Sequence, residues 1–370
     1  MKKSKLAIFF RNGSKPVPRA LRMMQVAKNQ GYDSIFCGAI RENDSEIQGT
    51  WESFKYFRVG DKYPLLNGKG LLTYIKFTYK FCKGLYFFFK EKKPDLLVAS
   101  DFEVMIPAII YSKFYDIRLI YNIHDNLAQR YNVPKFIAFI LNFLEGIMVM
   151  FAESALVPEG FRRDLLPVWC RAKIQVVKNT PGDIPFSEPT FVGNKIRLFY
   201  GGWLNWGRGL KDLIKIAESN PNIELVIAGP GTEDIISYIE GFKSVTYLGY
   251  ITHEQSLIET SKAHFIPSFY NPNTLINRYA ASNKLAEALA VGRPLLLNSE
   301  LKILASFKDY DCVLKKDYKD IFELGKVIND LINDRDLYFD MCIKSRKLFE
   351  EKYSWTEAKI KMENMVKLNV

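Results

Sequence analysis

Short apolar runs alternate with amphipathic segments along most of the chain. Leu6–Phe10, Leu96–Ala99 and Ile196–Tyr200 have few polar interruptions, which is typical of strands buried on both faces. Between such runs lie segments with apolar residues three or four positions apart, for example at 210–217. This alternation predicts βαβ units with parallel sheets, and therefore an α/β protein.

The runs fall into two groups, separated by the Pro- and Gly-rich stretch Thr180–Gly193. We expect a Rossmann-like domain over residues 1–185 and a second over 186–355, followed by a terminal helix over 356–370. The first domain contains six predicted strands: Leu6–Phe10, Ser34–Cys37, Leu96–Ala99, Leu119–Tyr121, Ala155–Val157 and Ile174–Val177.

A glycine pair follows the first strand of the second group. Gly201 and Gly202 break the run Ile196–Tyr200, and glycine at a strand end lets a ligand approach the backbone closely. Arg208 then offers a planar fork for phosphate oxygens. A glycine turn with a purely structural role is the alternative.

Residues 282–294 predict a short helix with a chemically useful start. Ser282 and Asn283 open it, and Gly292 and Pro294 end it. The unpaired amides and partial positive charge of a helix start suit a diphosphate. Glu287, about one turn further, could accept hydrogen bonds from ribose hydroxyls. An ordinary capped helix is the alternative.

Together these segments resemble the nucleotide-binding half of a GT-B glycosyltransferase, most closely the retaining glycosyltransferase family 4. Further segments follow the family's order through most of the chain: PDLLVASD, RLIYNIHDN, SALVPEG, KIQVVKNTPGD, LVIAGPG, VTYLG, THEQSLIETSKAHFIPS and the tail that ends at Trp355.

The resemblance implies a GT-B fold, in which two Rossmann-like domains face each other across a cleft and the last helix crosses back to the first domain. It implies a nucleotide-diphosphate sugar as donor and no metal or other cofactor. His124, Arg208 and Lys284 are the catalytic candidates. The donor-binding candidates are Gly201, Gly202, Arg208, Gly229, Ser282, Asn283, Lys284 and Glu287.

The chain departs from the family at two positions. The family's phosphate-binding arginine aligns with Gly202, and Lys284 is the candidate replacement. The first glutamate of the E-x7-E motif aligns with Tyr279. These departures leave two readings open: an active transferase, or a catalytically weak or inactive subunit that binds nucleotide or glycan as a scaffold. A sugar-nucleotide epimerase on the same architecture lacks a convincing carboxylate pair.

The first domain should carry the acceptor. The loop after its first strand is glycine-containing and basic, which suits a phosphate-bearing, lipid-linked saccharide. Asp101 and Glu103 follow another strand and are further candidates, and His124 follows a third. The loop candidates are Asn12, Gly13, Lys15 and Arg19.

Charge is concentrated in the first half of the chain. Residues 1–190 hold 28 Lys and Arg against 18 Asp and Glu, whereas residues 191–370 hold 24 against 23. Lys69–Lys93 contributes seven lysines and eight aromatic residues, with most lysines on one side of a predicted helix. Such a helix is typical of an anionic membrane surface, and the alternative is a helix docked on its own domain. No nucleic-acid motif accompanies the charge.

The remaining signals favour a reducing compartment. Together with the basic helix, the family resemblance implies a peripheral location on the inner face of the bacterial cell membrane, in surface-polysaccharide synthesis. Five cysteines are scattered without a C-x-x-C pair. The N-terminal apolar run is too short for a signal peptide, and Phe136–Ala152 is too short to span a bilayer and predicts a buried helix. His253 and His264 are expected to be structural, and Asp309–Asp311 a surface turn.

Overall fold

A computed structural model describes residues 5–42, 44–63, 71–131, 133–191, 193 and 195–367, with backbone only for Tyr63, Leu71 and Ile332. These residues form two compact units. Unit 1 runs up to Lys178 and includes the residues from Thr356 onward, and unit 2 covers Asn179–Trp355.

The strands in the described part of the chain are β1 (Lys5–Arg11), β2 (Tyr32–Arg41), β3 (Gln48–Trp51), β4 (Phe54–Tyr63), β5 (Leu96–Ser100), β6 (Arg118–Asn122), β7 (Ser154–Val157), β8 (Ile174–Val176), β9 (Ile196–Gly201), β10 (Ile223–Ala228), β11 (Val245–Tyr247), β12 (Ile266–Pro267), β13 (Leu295–Asn298) and β14 (Val313–Lys316).

The α-helices in the same ranges are α1 (Pro18–Asn29), α2 (Leu71–Lys92), α3 (Met105–Tyr115), α4 (Lys135–Phe151), α5 (Gly160–Arg163), α6 (Leu210–Ser219), α7 (Glu233–Glu240), α8 (His253–Lys262), α9 (Leu275–Arg278), α10 (Asn283–Ala290), α11 (Leu304–Phe307), α12 (Leu324–Ile332), α13 (Arg335–Lys352) and α14 (Trp355–Val366).

Unit 1 is built on one eight-stranded sheet with the order β3-β4-β2-β1-β5-β6-β7-β8. All neighbouring strands are parallel except the edge pair β3–β4. The six strands expected from the sequence are present. Strands β3 and β4 were not anticipated, because their sequences mix apolar residues with exposed polar ones.

Helices α2, α3 and α4 cover one side of this sheet. These helices connect β4 to β5, β5 to β6 and β6 to β7, and each connection leads toward the β8 edge of the sheet. Because such connections between parallel strands are right-handed, the three helices lie on the same side. Their inward residues share a core with alternate residues of β1, β5 and β6. The connection from β1 to β2 through α1 leads toward the opposite edge, so α1 lies on the other side of the sheet.

The segment expected to be a buried helix is largely exposed. Only Glu145, Gly146 and Val149 of α4 are buried. The helix is apolar on all sides, but a single side can face the sheet, so the remaining apolar groups reach the surface. These exposed residues are Phe136, Phe139, Ile140, Phe143, Leu144, Met150 and Phe151. Among the described helices none combines the length and hydropathy needed to cross a bilayer.

Helix α2 has the buried aromatic side that its sequence predicts: Phe81, Leu85, Phe88 and Phe89 lie in the core. Of the predicted basic side, Lys76, Lys83 and Lys90 are exposed, whereas Lys80 pairs with Asp61. Lys69 lies outside the described residues. The outer side of α2 also exposes apolar groups between the lysines: Leu72, Ile75, Tyr79 and Phe87.

Unit 2 contains two three-stranded parallel sheets, β11-β10-β9 and β12-β13-β14. A parallel bridge between Leu198 and Phe265 joins them beside β9 and β12. The combined order is β11-β10-β9-β12-β13-β14, the order of a Rossmann fold. The connections reverse direction between β9 and β12, and ligands of such folds bind outside the carboxyl ends of the strands at this point.

The boundary between the units lies a few residues before the expected position. Residues 179–185, which the sequence assigned to the first domain, are held by unit 2. The Asn179 side chain donates to the Ala281 carbonyl oxygen at 3.0 Å, and Arg346 donates to the Ile184 carbonyl oxygen at 2.6 Å. Helix α14 packs in unit 1 as expected, where Arg118 donates to the Met365 carbonyl oxygen at 2.8 Å.

Candidate functional site

Two glycine turns touch each other at the carboxyl ends of β9 and β10. The Gly202 amide donates to the Ala228 carbonyl oxygen at 2.9 Å, and a Cβ at Gly229 would overlap the Gly202 carbonyl oxygen. Gly202 has φ +126° and Gly229 has φ +132°, values that only glycine adopts readily. Apart from the two chain neighbours, no described residue has an atom within 4 Å of the position of a Cβ at Gly202, so this backbone is open to a ligand.

Arg208 stands at the end of a short 3₁₀ turn, Trp206–Arg208. The Asn205 side chain caps this turn by accepting from the Gly207 amide at 2.8 Å. The Arg208 guanidinium carbon lies 4.0 Å from the ring centroid of Tyr270. Tyr270, which follows β12, is fixed by Asn298, whose side chain accepts from its amide at 2.9 Å and donates to its carbonyl oxygen at 3.1 Å.

Lys284 lies close to a second tyrosine, Tyr200. Its Nζ atom is 4.1 Å from the Tyr200 ring centroid. Burial and the neighbouring Arg208 charge lower the pKa of Lys284 to about 8, although Tyr270 and Glu287 oppose this. Burial alone would raise the pKa of Tyr270, but the charges of Lys284 and Arg208 outweigh it and lower that pKa.

Neither Arg208 nor Lys284 forms an ion pair with a carboxylate in the part of the chain that the structure describes. Helix α10 begins beside them: Ser282 is its N-cap residue, and the Ser282 side chain makes no capping hydrogen bond. The first amide N–H groups of the helix are therefore available to donate to a ligand, and they add a partial positive charge. Two cations, a helix start and an open glycine backbone form a site for an anion at the carboxyl edge of the sheet.

Glu287 lies one turn into α10 and is mostly buried. Its Oε1 atom is 3.0 Å from Nε2 of His253, the first residue of α8. A capping box opens this helix, since Thr252 and Gln255 bond each other's backbone amides. His253 was expected to be only structural. Its ring, however, contacts the carboxylate that the sequence assigned to ribose binding.

In unit 1 the predicted acceptor loop follows β1. The Asn12 side-chain oxygen is buried and accepts no hydrogen bond from any described residue, and the Gly13 carbonyl oxygen accepts from the Ala39 amide at 3.2 Å. Lys15 is exposed, with its Nζ atom 4.5 Å from the Trp51 ring centroid on the edge strand β3. Arg19, in the first turn of α1, is buried and not exposed like Lys15.

Asp101 and Glu103 follow β5 and are both engaged by arginines. Asp101 has φ +88°, a strained conformation for a residue with a side chain, and lies 3.4 Å from Arg11 Nε. Burial raises the pKa of Asp101, against the charges of Arg11 and Arg130. Arg130 donates to both Glu103 oxygens at 3.0 and 2.8 Å, and Tyr74 donates to one of them at 2.6 Å.

His124 follows β6 at the same edge of the sheet, 3.4 Å from the Asn122 side-chain nitrogen. Burial and three nearby arginines, Arg19, Arg11 and Arg162, lower the pKa of His124 well below its ordinary value. Its ring is therefore neutral at physiological pH.

Several residues of these two sites carry no local sequence signal. They are far in sequence from the residues they contact, and only the strand order brings them together. Tyr270 was detectable in principle, because it lies two residues after Ser268, where one of the segments that follow the family's order ends. The residues missed are Tyr200, Tyr270 and Asn298 in unit 2, and Arg11, Arg130 and Arg162 in unit 1.

The remaining polar candidates lie elsewhere. His264 is buried, and its Nδ1 atom accepts from the Arg197 amide at 2.9 Å, as a structural histidine would. Asp309 and Asp311 are exposed, and Asp311 pairs with Lys344 at 3.2 Å. The described residues contain no group of three or more His, Cys, Asp or Glu side chains that could hold a metal ion.

Comparison of the sequence with known proteins gives a partial match. No family model matches the chain. Glycogen synthase of Mycobacterium tuberculosis is 25% identical over 225 residues, which cover 56% of this chain and 52% of the relative. The chain thus spans about half the length of the curated relatives it matches.

Known structures match almost the whole chain. Sucrose-phosphate synthase from Thermosynechococcus elongatus has a TM-score of 0.75 at 13% identity, covering 98% of both chains. Anabaena HepE, solved with UDP-glucose, has a TM-score of 0.70 at 12% identity, covering 98% and 99%. The lipopolysaccharide outer core galactosyltransferase WaaB has a TM-score of 0.62 at 13% identity, with the same coverage. The chain therefore has the GT-B glycosyltransferase fold, with two Rossmann-like units.

Proposed function

We propose that this protein is a retaining glycosyltransferase that takes a sugar from a nucleotide-diphosphate donor bound in unit 2. The proposal depends mainly on one observation: Arg208 and Lys284 lie beside the start of α10, and neither forms an ion pair with a carboxylate of the described residues. Two such cations in a half-buried setting are costly unless an anion joins them.

The chemistry of sugar transfer matches these groups. When the glycosidic bond breaks, the leaving diphosphate gains negative charge, and fixed cations and amides stabilise that charge. Arg208, Lys284 and the first amides of α10 provide such groups. The open backbone at Gly202 allows the diphosphate to approach closely. Glu287 is the proposed acceptor for ribose hydroxyls, with His253 holding one of its oxygens.

A uridine nucleotide is the first donor to test, because HepE shares the fold over nearly the whole chain and was solved with UDP-glucose. For the acceptor we propose a lipid-linked saccharide of bacterial surface-polysaccharide synthesis. The similarity of fold to WaaB, whose name specifies the lipopolysaccharide outer core, supports this choice.

We further propose that unit 1 rests on the inner face of the cell membrane. The outer sides of α2, α3 and α4 expose many large apolar groups, and α2 intersperses them with Lys76, Lys83 and Lys90. Exposed aromatic groups beside lysines fit an anionic lipid surface, where each nearby lysine contributes about 1 kcal/mol. The lipid-linked acceptor would be reached at the same surface.

A second function remains a specific alternative: a GT-B subunit that binds a nucleotide or glycan but transfers no sugar. Tyr279, in place of the family's first glutamate, favours it. Gly202 also favours it, because φ +126° excludes an arginine without strain at that position.

A screen of donor hydrolysis separates the two functions. The full chain is incubated with UDP-, GDP- and other nucleotide sugars, and nucleotide release and binding are both measured. We expect one nucleotide to give slow hydrolysis, with the released sugar keeping its anomeric configuration in NMR spectra. Binding without hydrolysis, and without transfer to a membrane extract, would indicate the scaffold function.

The matched variants are Arg208→Ala and Lys211→Ala. Lys211 is a nearby exposed cation that lies 4.9 Å from the Trp206 ring centroid. Loss of Arg208 should lower hydrolysis about 100-fold, as removal of a transition-state donor does. Lys211→Ala should stay close to the parent protein. Near-normal turnover in Arg208→Ala, with folding intact, would contradict the proposed donor site.

A further inference from the structure

Two buried arginines hold the backbone on either side of His124 in unit 1. Arg19 Nη2 donates to the Ile123 carbonyl oxygen at 2.7 Å. Arg162 Nη1 donates to the carbonyl oxygen of His124 itself and to Asp125 Oδ1 at 2.7 Å. Both guanidinium groups therefore lie next to the loop that follows β6. Arg11, at the end of β1, is the third arginine near the imidazole ring.

Among the residues that the structure describes, Arg19 finds no acceptor for two of its donor atoms. The residue is 2% exposed, and neither Nε nor Nη1 has a hydrogen-bond partner within these ranges. A buried charge with unfilled donors is unfavourable unless a further acceptor completes it. Burial and the neighbouring Arg162 lower the pKa of Arg19 to about 9, which is the effect expected of a cation that is short of anions.

The carboxylates near His124 are bonded to the other arginines of this region and not to Arg19. Asp125 is bonded to Arg162, and Asp101 lies 3.4 Å from Arg11. The first turn of α1, which contains Arg19, adds the positive end of a twelve-residue helix that has no side-chain cap. The loop around His124 therefore has an excess of positive charge and of hydrogen-bond donors.

We infer that unit 1 binds a phosphoryl group at the arginine cluster formed by Arg11, Arg19 and Arg162 around His124. A phosphoryl group has several strong acceptor oxygens, which match the planar forks of arginine better than a single carboxylate does. The neutral imidazole of His124 can donate to a further oxygen. Lys15, which the sequence grouped with Arg19, lies at Trp51 and is not part of this cluster.

This inference rests on the proposed function and deepens it, since it assigns a phosphoryl group to the acceptor that unit 1 would bind. Such a group can come from an isoprenyl diphosphate lipid or from a soluble sugar phosphate. Both sources present the same oxygens to the cluster, and they differ only in the attached group.

The three histidines of the chain allow a direct test by NMR. The pH titration of each imidazole Cε1–H signal is followed in the full-length Arg208→Ala variant, which weakens the proposed donor site. Inorganic pyrophosphate should raise the pKa of His124 by about one unit, because its charge offsets the arginines. The signals of His253 and His264 should not move. An unchanged His124 titration at saturating pyrophosphate would overturn the inference.

A variant comparison gives a second measure. Arg19→Gln should weaken pyrophosphate binding at least about tenfold, the loss expected when one charged hydrogen-bonding partner is removed. Lys15→Gln, as the matched control, should leave it unchanged. Equal weakening in both variants would contradict the site. The histidine titration in protein with Arg19 intact keeps the test valid even if Arg19→Gln does not fold.

The probe also distinguishes the two sources. Farnesyl diphosphate, glucose 6-phosphate and uncharged farnesol are compared by the concentration that gives half of the His124 shift. A lower concentration for farnesyl diphosphate than for glucose 6-phosphate indicates a lipid acceptor, and the reverse order a soluble one. A response to farnesol equal to that of its diphosphate would contradict a phosphoryl site.

Failure of the donor proposal has a different signature. In the parent protein a nucleotide sugar should move the His253 signal, because His253 contacts Glu287. If the His253 signal does not shift with a nucleotide sugar but the His124 signal shifts with pyrophosphate, the proposed donor site is contradicted and the phosphoryl site is supported.

Discussion

Lys284 illustrates how position changes the chemistry of a single residue. An exposed lysine is charged at any physiological pH, but burial and Arg208 bring the pKa of Lys284 to about 8. A bound diphosphate favours the charged form, so binding and protonation are linked.

We therefore predict that nucleotide-sugar affinity falls as the pH rises from about 7 to about 9, where Lys284 loses its proton. Calorimetric titrations across this range measure the effect. Lys284→Arg keeps its charge at these pH values and should abolish most of the decline. An equal decline in this variant would assign the titration to another group.

Glu145 is a second residue whose ionisation depends on its surroundings. It is fully buried on the inner side of α4, where its oxygens accept from the Leu127 amide at 2.9 Å and the Tyr121 hydroxyl at 3.0 Å. Burial raises the pKa of Glu145 to about 7 in spite of these hydrogen bonds.

A raised carboxyl pKa stabilises the fold at low pH. The contribution is complete below the unfolded pKa and is lost as the pH rises through about 7, a change of roughly 3 kcal/mol. We predict that Glu145→Gln flattens the decline in the free energy of unfolding between about pH 5 and pH 8, measured by urea denaturation. An unaltered pH profile would show that Glu145 is not the group responsible.

At the scale of elements, the two glycine turns of unit 2 fit only as a pair. Gly229 combines φ +132° with no room for a Cβ, because the Gly202 carbonyl oxygen occupies that position. Gly182 is the matched control: it has φ +103°, but apart from its chain neighbours no described residue has an atom within 4 Å of the position of a Cβ there.

Gly182→Ala should lower the free energy of unfolding by only roughly 1–2 kcal/mol, the cost of an unfavourable backbone conformation. Gly229→Ala should lower it further, because the glycine turn at Gly202 must also move. We predict a larger fall in melting temperature and, in addition, weaker nucleotide-sugar binding for Gly229→Ala, measured by calorimetry. Equal effects of the two substitutions would contradict the packing argument.

Helix α4 supplies the most apolar exposed surface among the described elements. Its exposed phenylalanines include Phe139, whose side chain is 72% exposed. We predict that Phe136→Ser with Phe139→Ser reduces flotation with anionic liposomes, because these groups would no longer insert among the lipids. The control is Ile343→Ser on α13, where the isoleucine is 62% exposed in unit 2. Equal flotation of the parent protein, the double variant and the control variant would contradict a role for α4 in membrane binding.

At the scale of the whole molecule, the two units are similar in architecture but differ in net charge. Both units have the same parallel architecture, yet residues 1–190 carry nearly all of the net charge of +11. This asymmetry is the reason why we propose unit 1, and not unit 2, as the part that meets an anionic surface.

We predict that liposome binding of the whole chain requires anionic lipid and weakens as salt rises toward about 0.5 M, since screening reduces the lysine contribution. Lys76→Gln, Lys83→Gln and Lys90→Gln together should weaken binding at low salt in a co-flotation assay. Binding that ignores both salt and these substitutions would leave no role for the lysines.

Much of the fold was predictable because it follows from local sequence patterns. Apolar runs identified the six central strands of unit 1, and the order of motifs identified the GT-B fold. Strands β3 and β4 were not predicted, because their sequences mix apolar residues with exposed polar ones. The exposure of α4 was also missed, since hydropathy alone does not reveal which sides of a helix find a partner.

The candidate sites divide in the same way. The sequence by itself determined the glycine turns, the helix start at Ser282 and the cations Arg208 and Lys284, because each belongs to a short segment with its own signal. Only the tertiary structure decided that Tyr270 lies against Arg208, that His253 contacts Glu287, and that Arg19 and Arg162 surround His124. Those contacts join residues that are distant in sequence, and they depend on the order in which parallel strands pair, which no local pattern encodes.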